Sequence, residues 1–233
     1  MITESFREAR AALFADYEPL GHSLLKRSQE KQLSPQEILA IMGQLGHVVT
    51  SFPRFLGALV ANLPTVDARM PIVENLLEEH GNLDLNKVHI HTFELFLESF
   101  GKEASALTRR PPIPGTRAYI RCLYDQCLNA PWRQSLACMG VIEEIFAYLS
   151  QAIARAVVES GAVDPADLKH FDLHSEVDLE HAEGMYRVLE PFWKNSTSRA
   201  EIRDGVEMGL YLDCRLMDDL EVDARKSVLG KTS

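Results

Sequence analysis

The sequence predicts an all-α protein, a compact bundle of seven or eight helices. Apolar residues recur at three- and four-residue steps in almost every long segment, which is the period of an amphipathic helix. Prolines and glycines fall between these segments, and no strand-like alternation competes with them. No repeat of solenoid length is present, so we expect a single helical domain over residues 1–233. Its core is predicted to cover about residues 5–220, and the charged tail 221–233 is expected to fray.

The first half of the chain contains five predicted helical segments. They cover residues 5–31, 34–52, 55–63, 71–79 and 86–100. Ser34, followed by a proline and by Glu37, is typical of a helix start with a capping box. Pro53 is expected to kink or interrupt its helix, and Pro71 to begin the next one. The sequence His80-Gly81-Asn82 then predicts a helix end.

The second half begins with the clearest break in the helical pattern, at residues 108–115. Three prolines and one glycine in this stretch cannot continue a helix. The helical pattern resumes at Thr116 with a similar composition, so we interpret the break as a loop within one domain. Further helices are predicted over residues 131–159, 173–189 and 198–220.

The overall composition excludes several functional classes. The chain has 34 acidic and 24 basic residues and a formal net charge of −10, which disfavours general binding to nucleic acids or anionic membranes. We expect no membrane span, because no apolar stretch of about 18 residues occurs. The charged N-terminus does not resemble a signal peptide, and the four cysteines lack a C-x-x-C spacing. These features predict a reduced, cytoplasmic protein.

The sharpest local motif is H-x3-D-x2-H, formed by His174, Asp178 and His181. Residues at i, i+4 and i+7 share one face of a helix, so two imidazoles lie beside one carboxylate. This donor set suits iron, manganese or zinc. The alternative is an ordinary solvated helix face.

Two further segments could bring carboxylates and histidines to the same site. Glu78 and Glu79 end one predicted helix, and His89 and His91 begin the next. Side chains on either side of a short connection converge when their helices pack together. The alternative is an exposed last turn, although two glutamates there oppose the helix dipole.

Glu143 and Glu144 lie on a helix that is otherwise apolar around its circumference. Such a helix is normally buried, and a buried carboxylate is costly unless it is paired or bound to a metal. At least one of the two glutamates therefore needs a partner. An ordinary ion pair with Arg155 or another arginine is the alternative to a metal ion.

The order of these motifs resembles the haem-oxygenase-like dimetal oxidases and oxygenases. The resemblance rests on residues 75–81 with His89, on the segment 139–144 and on the H-x3-D-x2-H motif, and it spans about residues 34–220. It implies a helical bundle like that of haem oxygenase and a dimetal centre. The metal ligands that it implies are Glu78, His89, Glu143, His174, Asp178 and His181. Glu79, His91 and Glu144 remain alternatives in the first three places.

The resemblance also implies a chemistry. We expect two iron(II) ions, or a manganese–iron pair, with O2 as co-substrate. The substrate would be a small amino-acid-like or fatty-acid-like molecule that is N-oxygenated, desaturated or cleaved. The electron donor is unknown, and a homodimer is possible, as in relatives of this fold.

Two other functions remain open at this point. A metal-free enzyme of the same fold, thiaminase-like or a cofactorless oxidase, would need a nucleophile if it were a hydrolase. Cys138 is the candidate for that nucleophile. The other alternative is a non-catalytic helical binding protein, in which the glutamates would only form ion pairs.

Overall fold

The computed structural model describes residues 4–100, 109–160 and 169–229, with residues 160, 169–176 and 229 described by their backbone alone. These ranges contain nine α-helices, short 3-10 turns and no strand, so the all-α prediction is confirmed. The helices are Phe6–Tyr17 (α1), Ser23–Gln29 (α2), Pro35–Asn62 (α3), Val66–Glu79 (α4), His89–Ser99 (α5), Pro114–Asn129 (α6), Trp132–Ser160 (α7), Lys169–Leu189 (α8) and Ser196–Leu229 (α9).

Helix α7 is the centre of the bundle. It packs most extensively against α8 and α9, while α3 packs against α6 and α9 on another side. Among the described helices α7 has the length and composition that could cross a membrane, but 78% of its most apolar window is buried inside the bundle. Its apolar character is therefore accounted for by its place in the core.

Two glycines allow the helices around α7 to approach closely. A Cβ at Gly209 of α9 would lie 2.9 Å from the carbonyl oxygen of Cys138. A Cβ at Gly140 of α7 would lie 2.6 Å from Cε1 of Tyr186 on α8. Because Gly140 lies one turn before Glu143, this close contact fixes the distance between α8 and the carboxylate-bearing part of α7.

The helix starts differ from the prediction where a polar cap or a turn intervenes. The capping box between Ser34 and Glu37 is present as expected. Helix α4 begins at Val66 and not at Pro71, because the Thr65 side chain accepts a hydrogen bond from the amide of Ala68 and caps an earlier start. The segment 5–31 is split into α1 and α2 near Glu18, which has a φ of 47°.

Helix α3 passes through Pro53 without ending there, so the predicted interruption is wrong. Buried residues before and after the proline, including Val49, Phe55 and Leu56, belong to the same core. The free energy gained by burying these side chains outweighs the loss of the backbone hydrogen bond that Pro53 cannot donate.

The last helix is longer than predicted. Helix α9 continues to Leu229, so the expectation of a frayed tail does not hold for residues 221–229. Glu221 is buried and accepts hydrogen bonds from the Ser23 hydroxyl and from the guanidinium groups of Arg27 and Arg225. These contacts connect the end of α9 to α2 and keep the helix ordered.

Candidate metal centre

Three metal-ligating side chains meet between α7 and α8. Glu143 of α7 and Asp178 and His181 of α8 each offer a donor atom, and these atoms all lie within 4.8 Å of one another. Asp178 and His181 are three residues apart, so they project from the same face of α8. The two acids are almost completely buried, with 2% and 3% of their surfaces exposed.

The Glu143 carboxylate is held by Asn75 of α4. The Asn75 amide nitrogen donates a 2.6 Å hydrogen bond to Oε1 of Glu143. Burial raises the pKa of Glu143 well above its ordinary value, and the neighbouring Asp178 carboxylate raises it further. The hydrogen bond from Asn75 acts in the opposite direction because it stabilises the charged form.

His181 lies between two glutamates. Its Nε2 is 2.9 Å from Oε2 of Glu78, and its Nδ1 is 3.9 Å from Oε2 of Glu143. The Nδ1 atom is buried and has no hydrogen-bond partner among the described residues. An imidazole nitrogen at this separation from a carboxylate oxygen is suited to sharing a cation with it.

A second pair, Glu79 and His89, faces the same cavity. Oε1 of Glu79 is 2.9 Å from Nδ1 of His89, and both side chains are buried. The turn between α4 and α5 brings them together, and it depends on Gly81. Gly81 has a φ of 63°, and a Cβ there would lie 2.7 Å from the amide nitrogen of Val88.

The predicted ligand Glu78 and the alternatives Glu144 and His91 do not line the cavity. Glu78 is 40% exposed and reaches His181 from the outer side of the cluster. Glu144 accepts a 2.8 Å hydrogen bond from the Tyr186 hydroxyl. His91 is exposed, with its Nδ1 2.9 Å from the Leu85 carbonyl oxygen. The side chain of His174 lies outside the described residues, although its backbone belongs to α8, one turn before Asp178.

The cavity next to the cluster has about 450 Å³ of empty volume, counted to its mouth. Its acidic and imidazole wall consists of Glu79, His89, Glu143 and Asp178. The remaining wall is apolar or aromatic and consists of Val48, Val49, Phe52, Tyr119, Ile142 and Phe146.

Two residues of this site were not predicted as functional from the sequence. Asn75 could have been noticed because it lies one turn before Glu79 on the same helix face. Tyr119 has no comparable signal, since its position on the cavity wall depends on how α6 packs against the bundle.

Cys138, the proposed nucleophile of a metal-free enzyme, is completely buried. Burial raises the pKa of its thiol well above the ordinary value. The thiol form is a poor nucleophile, so the structure does not favour a cysteine-dependent hydrolase.

The residues present fit a metal ion. Glu79, Glu143 and Asp178 are acids buried around one cavity, an arrangement that is costly without a compensating cation. The buried Nδ1 of His181 adds a neutral nitrogen donor to these oxygens. Carboxylates and imidazoles projecting inward from facing helices define the class of helical-bundle metalloenzymes.

The family model for iron-containing redox enzymes matches residues 40–213, and the chain belongs to this family. Two curated relatives are named as synthases. A 4-aminobenzoate synthase from Nitrosomonas europaea is 23% identical over 87% of this chain and 85% of its own length. A 4-chloro-allylglycine synthase from Streptantibioticus cattleyicolor is 21% identical over 87% of this chain and 77% of its own length. The chain is therefore an oxidoreductase.

The solved structures agree on the fold. A protein from Shewanella denitrificans, described as a domain of unknown function with a heme oxygenase-like fold, superimposes with a TM-score of 0.76. It is 18% identical, and the match covers 100% of this chain and 97% of that one. A CADD-like protein from Nostoc punctiforme has a TM-score of 0.72 at 16% identity, over 92% of this chain and 98% of its own. The predicted haem-oxygenase-like bundle is confirmed.

Proposed function

We propose that this oxidoreductase activates O2 at a two-iron centre and oxidises a small amino-acid-like or fatty-acid-like substrate by N-oxygenation, desaturation or cleavage. The observation that carries the proposal is the buried cluster of Glu143, Asp178 and His181 in a chain of the iron-containing redox family. When bound, iron supplies the reduction of O2 that these side chains cannot perform alone.

The geometry supports a particular assignment of the ligands. Glu143, Asp178 and His181 would share the first ion, because their donor atoms already converge. Glu79 and His89 would serve the second, because both are buried on the wall of the same cavity. We propose Glu79 in the place expected for Glu78.

The outer residues of the cluster would position the ligands. Glu78 contacts Nε2 of His181 and would orient the ring so that Nδ1 faces the other donors. Asn75 would hold the Glu143 carboxylate through its 2.6 Å hydrogen bond. His174 remains a predicted ligand, one turn before Asp178 on α8.

The cavity wall suits a small substrate with an apolar part. Phe52, Ile142 and Phe146 would exclude water from the reacting atoms. The two curated relatives are named for products that carry an amino group, which favours an amino-acid-like substrate over a fatty-acid-like one.

The test is anaerobic iron(II) titration followed by exposure to O2. We expect about two iron ions per chain and O2 consumption that depends on bound iron. Glu143→Gln should lose iron, whereas the matched control Glu144→Gln should keep it, because Glu144 contacts Tyr186 and not the cluster. A parallel titration with manganese(II) distinguishes a pure iron centre from a mixed one.

Two results would contradict the proposal. One is an absence of iron uptake by folded wild-type protein. The other is unchanged O2 consumption in the double variant His174→Ala His181→Ala, since that change removes both histidines of the most specific motif.

A further inference from the structure

Helix α4 carries a row of apolar side chains on its outer face, which we call the outer stripe. It consists of Val66, Met70, Val73 and Leu77, which follow one another at steps of four, three and four residues. This spacing places all four on one side of a helix. They are between 39% and 63% exposed. Single exposed apolar residues are common, but a row of four along one short helix is typical of a surface that another helix covers.

The opposite face of α4 is buried in the bundle. Ala68, Ile72, Asn75 and Glu79 form this inner face, and all four are almost completely buried. The neighbouring helices α3 and α8 pack against α4. The outer stripe therefore belongs to a face that the described helices leave open.

The two edges of the outer stripe carry opposite charges. On the helical wheel, Arg69 lies on one side of the stripe, and Asp67 and Glu74 lie on the other side. Nε of Arg69 donates a 3.2 Å hydrogen bond to the Thr65 carbonyl oxygen. Neither Arg69 nor Glu74 forms an ion pair within the described part of the chain. Both charges are therefore open to a partner that covers the stripe.

A second copy of α4 complements these edges when the two helices run parallel. Around a two-fold axis along the helices, the basic edge of each helix faces the acidic edge of the other. In parallel helix pairs the charged contact joins a residue to the one five positions later in the other chain. Glu74 lies five positions after Arg69, so the symmetry would form this ion pair twice.

The antiparallel arrangement lacks this complementarity. Each edge of the stripe would then face its own copy, so Asp67 and Glu74 would lie against the same two acids of the second copy. Like charges in contact across an interface disfavour that arrangement. The charge pattern of α4 thus fits a second copy in one direction only.

We propose that the outer stripe of α4 is a homodimer interface, in which two copies of α4 pack in parallel and Arg69 pairs with Glu74 of the second copy. The inner face of the same helix presents Asn75 and Glu79 to the candidate metal centre. Dimerisation would therefore support this helix from its outer side without entering the cavity. The proposal does not rest on the proposed oxidase function, because it concerns a surface that no substrate or metal ion needs to reach.

The first test measures self-association by sedimentation velocity at about 1–100 µM, the range expected for a small interface. We expect wild-type protein to convert from monomer to dimer as its concentration rises. Met70→Glu should weaken the dimer at least about a hundredfold, because it would bury an unpaired charge. Leu128→Glu changes a residue of α6 with similar exposure and should leave the dimer unchanged.

The second test exchanges the charges of the proposed pair. Arg69→Glu and Glu74→Arg should each weaken the dimer about three- to tenfold, because both symmetry-related pairs become repulsive. The double variant restores opposite charges and should return the dissociation constant to within about threefold of the wild-type value. Circular dichroism of all variants confirms that the helices remain folded.

The third test determines the direction of packing. In a Cys122→Ser background, which removes the exposed thiol, Val66→Cys should form a disulfide-linked dimer when oxidised glutathione is added. A parallel pair places the two copies of position 66 side by side, whereas an antiparallel pair separates them beyond the reach of about 7 Å between Cα atoms. Cys122→Ser alone should form no linked dimer.

Four results would each overturn the proposal. The first is wild-type protein that stays monomeric at about 100 µM, and the second is a dimer that Met70→Glu leaves intact. The third is a double charge exchange that associates no better than the single variants. The fourth is a dimer in which Val66→Cys forms no disulfide.

Discussion

Replacing Asp213 with asparagine is expected to stabilise the fold at neutral pH. The pKa of Asp213 is 3.8 for the unperturbed group and about 8 in the folded protein, because the carboxyl is buried. A raised folded pKa means that the carboxyl destabilises the fold progressively as the pH rises from about 4 to about 8. At pH 7 this destabilisation amounts to about 4 kcal/mol, because each pKa unit corresponds to about 1.36 kcal/mol.

An asparagine at position 213 does not titrate, so the variant avoids this loss of stability at high pH. Its amide can still accept the hydrogen bond that the Tyr119 hydroxyl donates to Asp213, but its NH2 group would be buried without a partner, which costs about 1–3 kcal/mol. The net gain at pH 7 is therefore about 1–3 kcal/mol. At pH 4 the ionisation contributes only about 0.5 kcal/mol, so the variant should instead be less stable than the wild type by about 0.5–2.5 kcal/mol.

The assay is urea denaturation of wild type, Asp213→Asn and the surface control Asp204→Asn across this pH range. The difference in the free energy of unfolding between Asp213→Asn and wild type should grow by up to about 1.4 kcal/mol per pH unit and level off near pH 8. The control should show no such trend. A difference that is constant from pH 4 to pH 8 would refute the reasoning, because Asp213 would then be ionised throughout.

Three further changes test the packing and the cluster. Asn75→Ala should weaken iron(II) binding about 10–100-fold in a chelator competition, because the variant no longer holds the glutamate of the cluster. Gly209→Ala should lower the free energy of unfolding by about 1–3 kcal/mol, because its Cβ would overlap α7, whereas Gly57→Ala, which has open space around it, should be neutral or stabilising. Iodoacetamide should label the exposed Cys122 in the native protein and leave the buried Cys138 unmodified until urea unfolds the chain.

Helix type and the start of α3 could be predicted from the sequence because they depend on nearby residues. The capping box at Ser34 needs only Glu37 three positions later. Helix ends that depend on distant contacts were not predictable. The extension of α9 beyond Leu220 is stabilised by Ser23 and Arg27, which are far away in the chain.

The candidate site shows the same division. The helix period places Asp178 and His181 on one face, so their proximity could be predicted. Which of Glu78 and Glu79 faces the cavity could not be predicted, because it depends on the turn at Gly81 that brings His89 back against α4. Tyr119 and Asp213 meet only through the packing of α6 and α9, and no sequence motif marks them.

The candidate metal ligands are divided between two parts of the fold. One part is the tightly packed pair α7 and α8, which carries Glu143, Asp178 and His181. The other is the pair α4 and α5, where the turn at Gly81 sets the distance between Glu79 and His89. We therefore expect the two metal ions of the proposed centre to bind in a fixed order. The first ion would bind to the donors of α7 and α8, which already converge. The second ion would bind to the donors of α4 and α5, beside the first, and would stabilise the packing of the two helix pairs against each other.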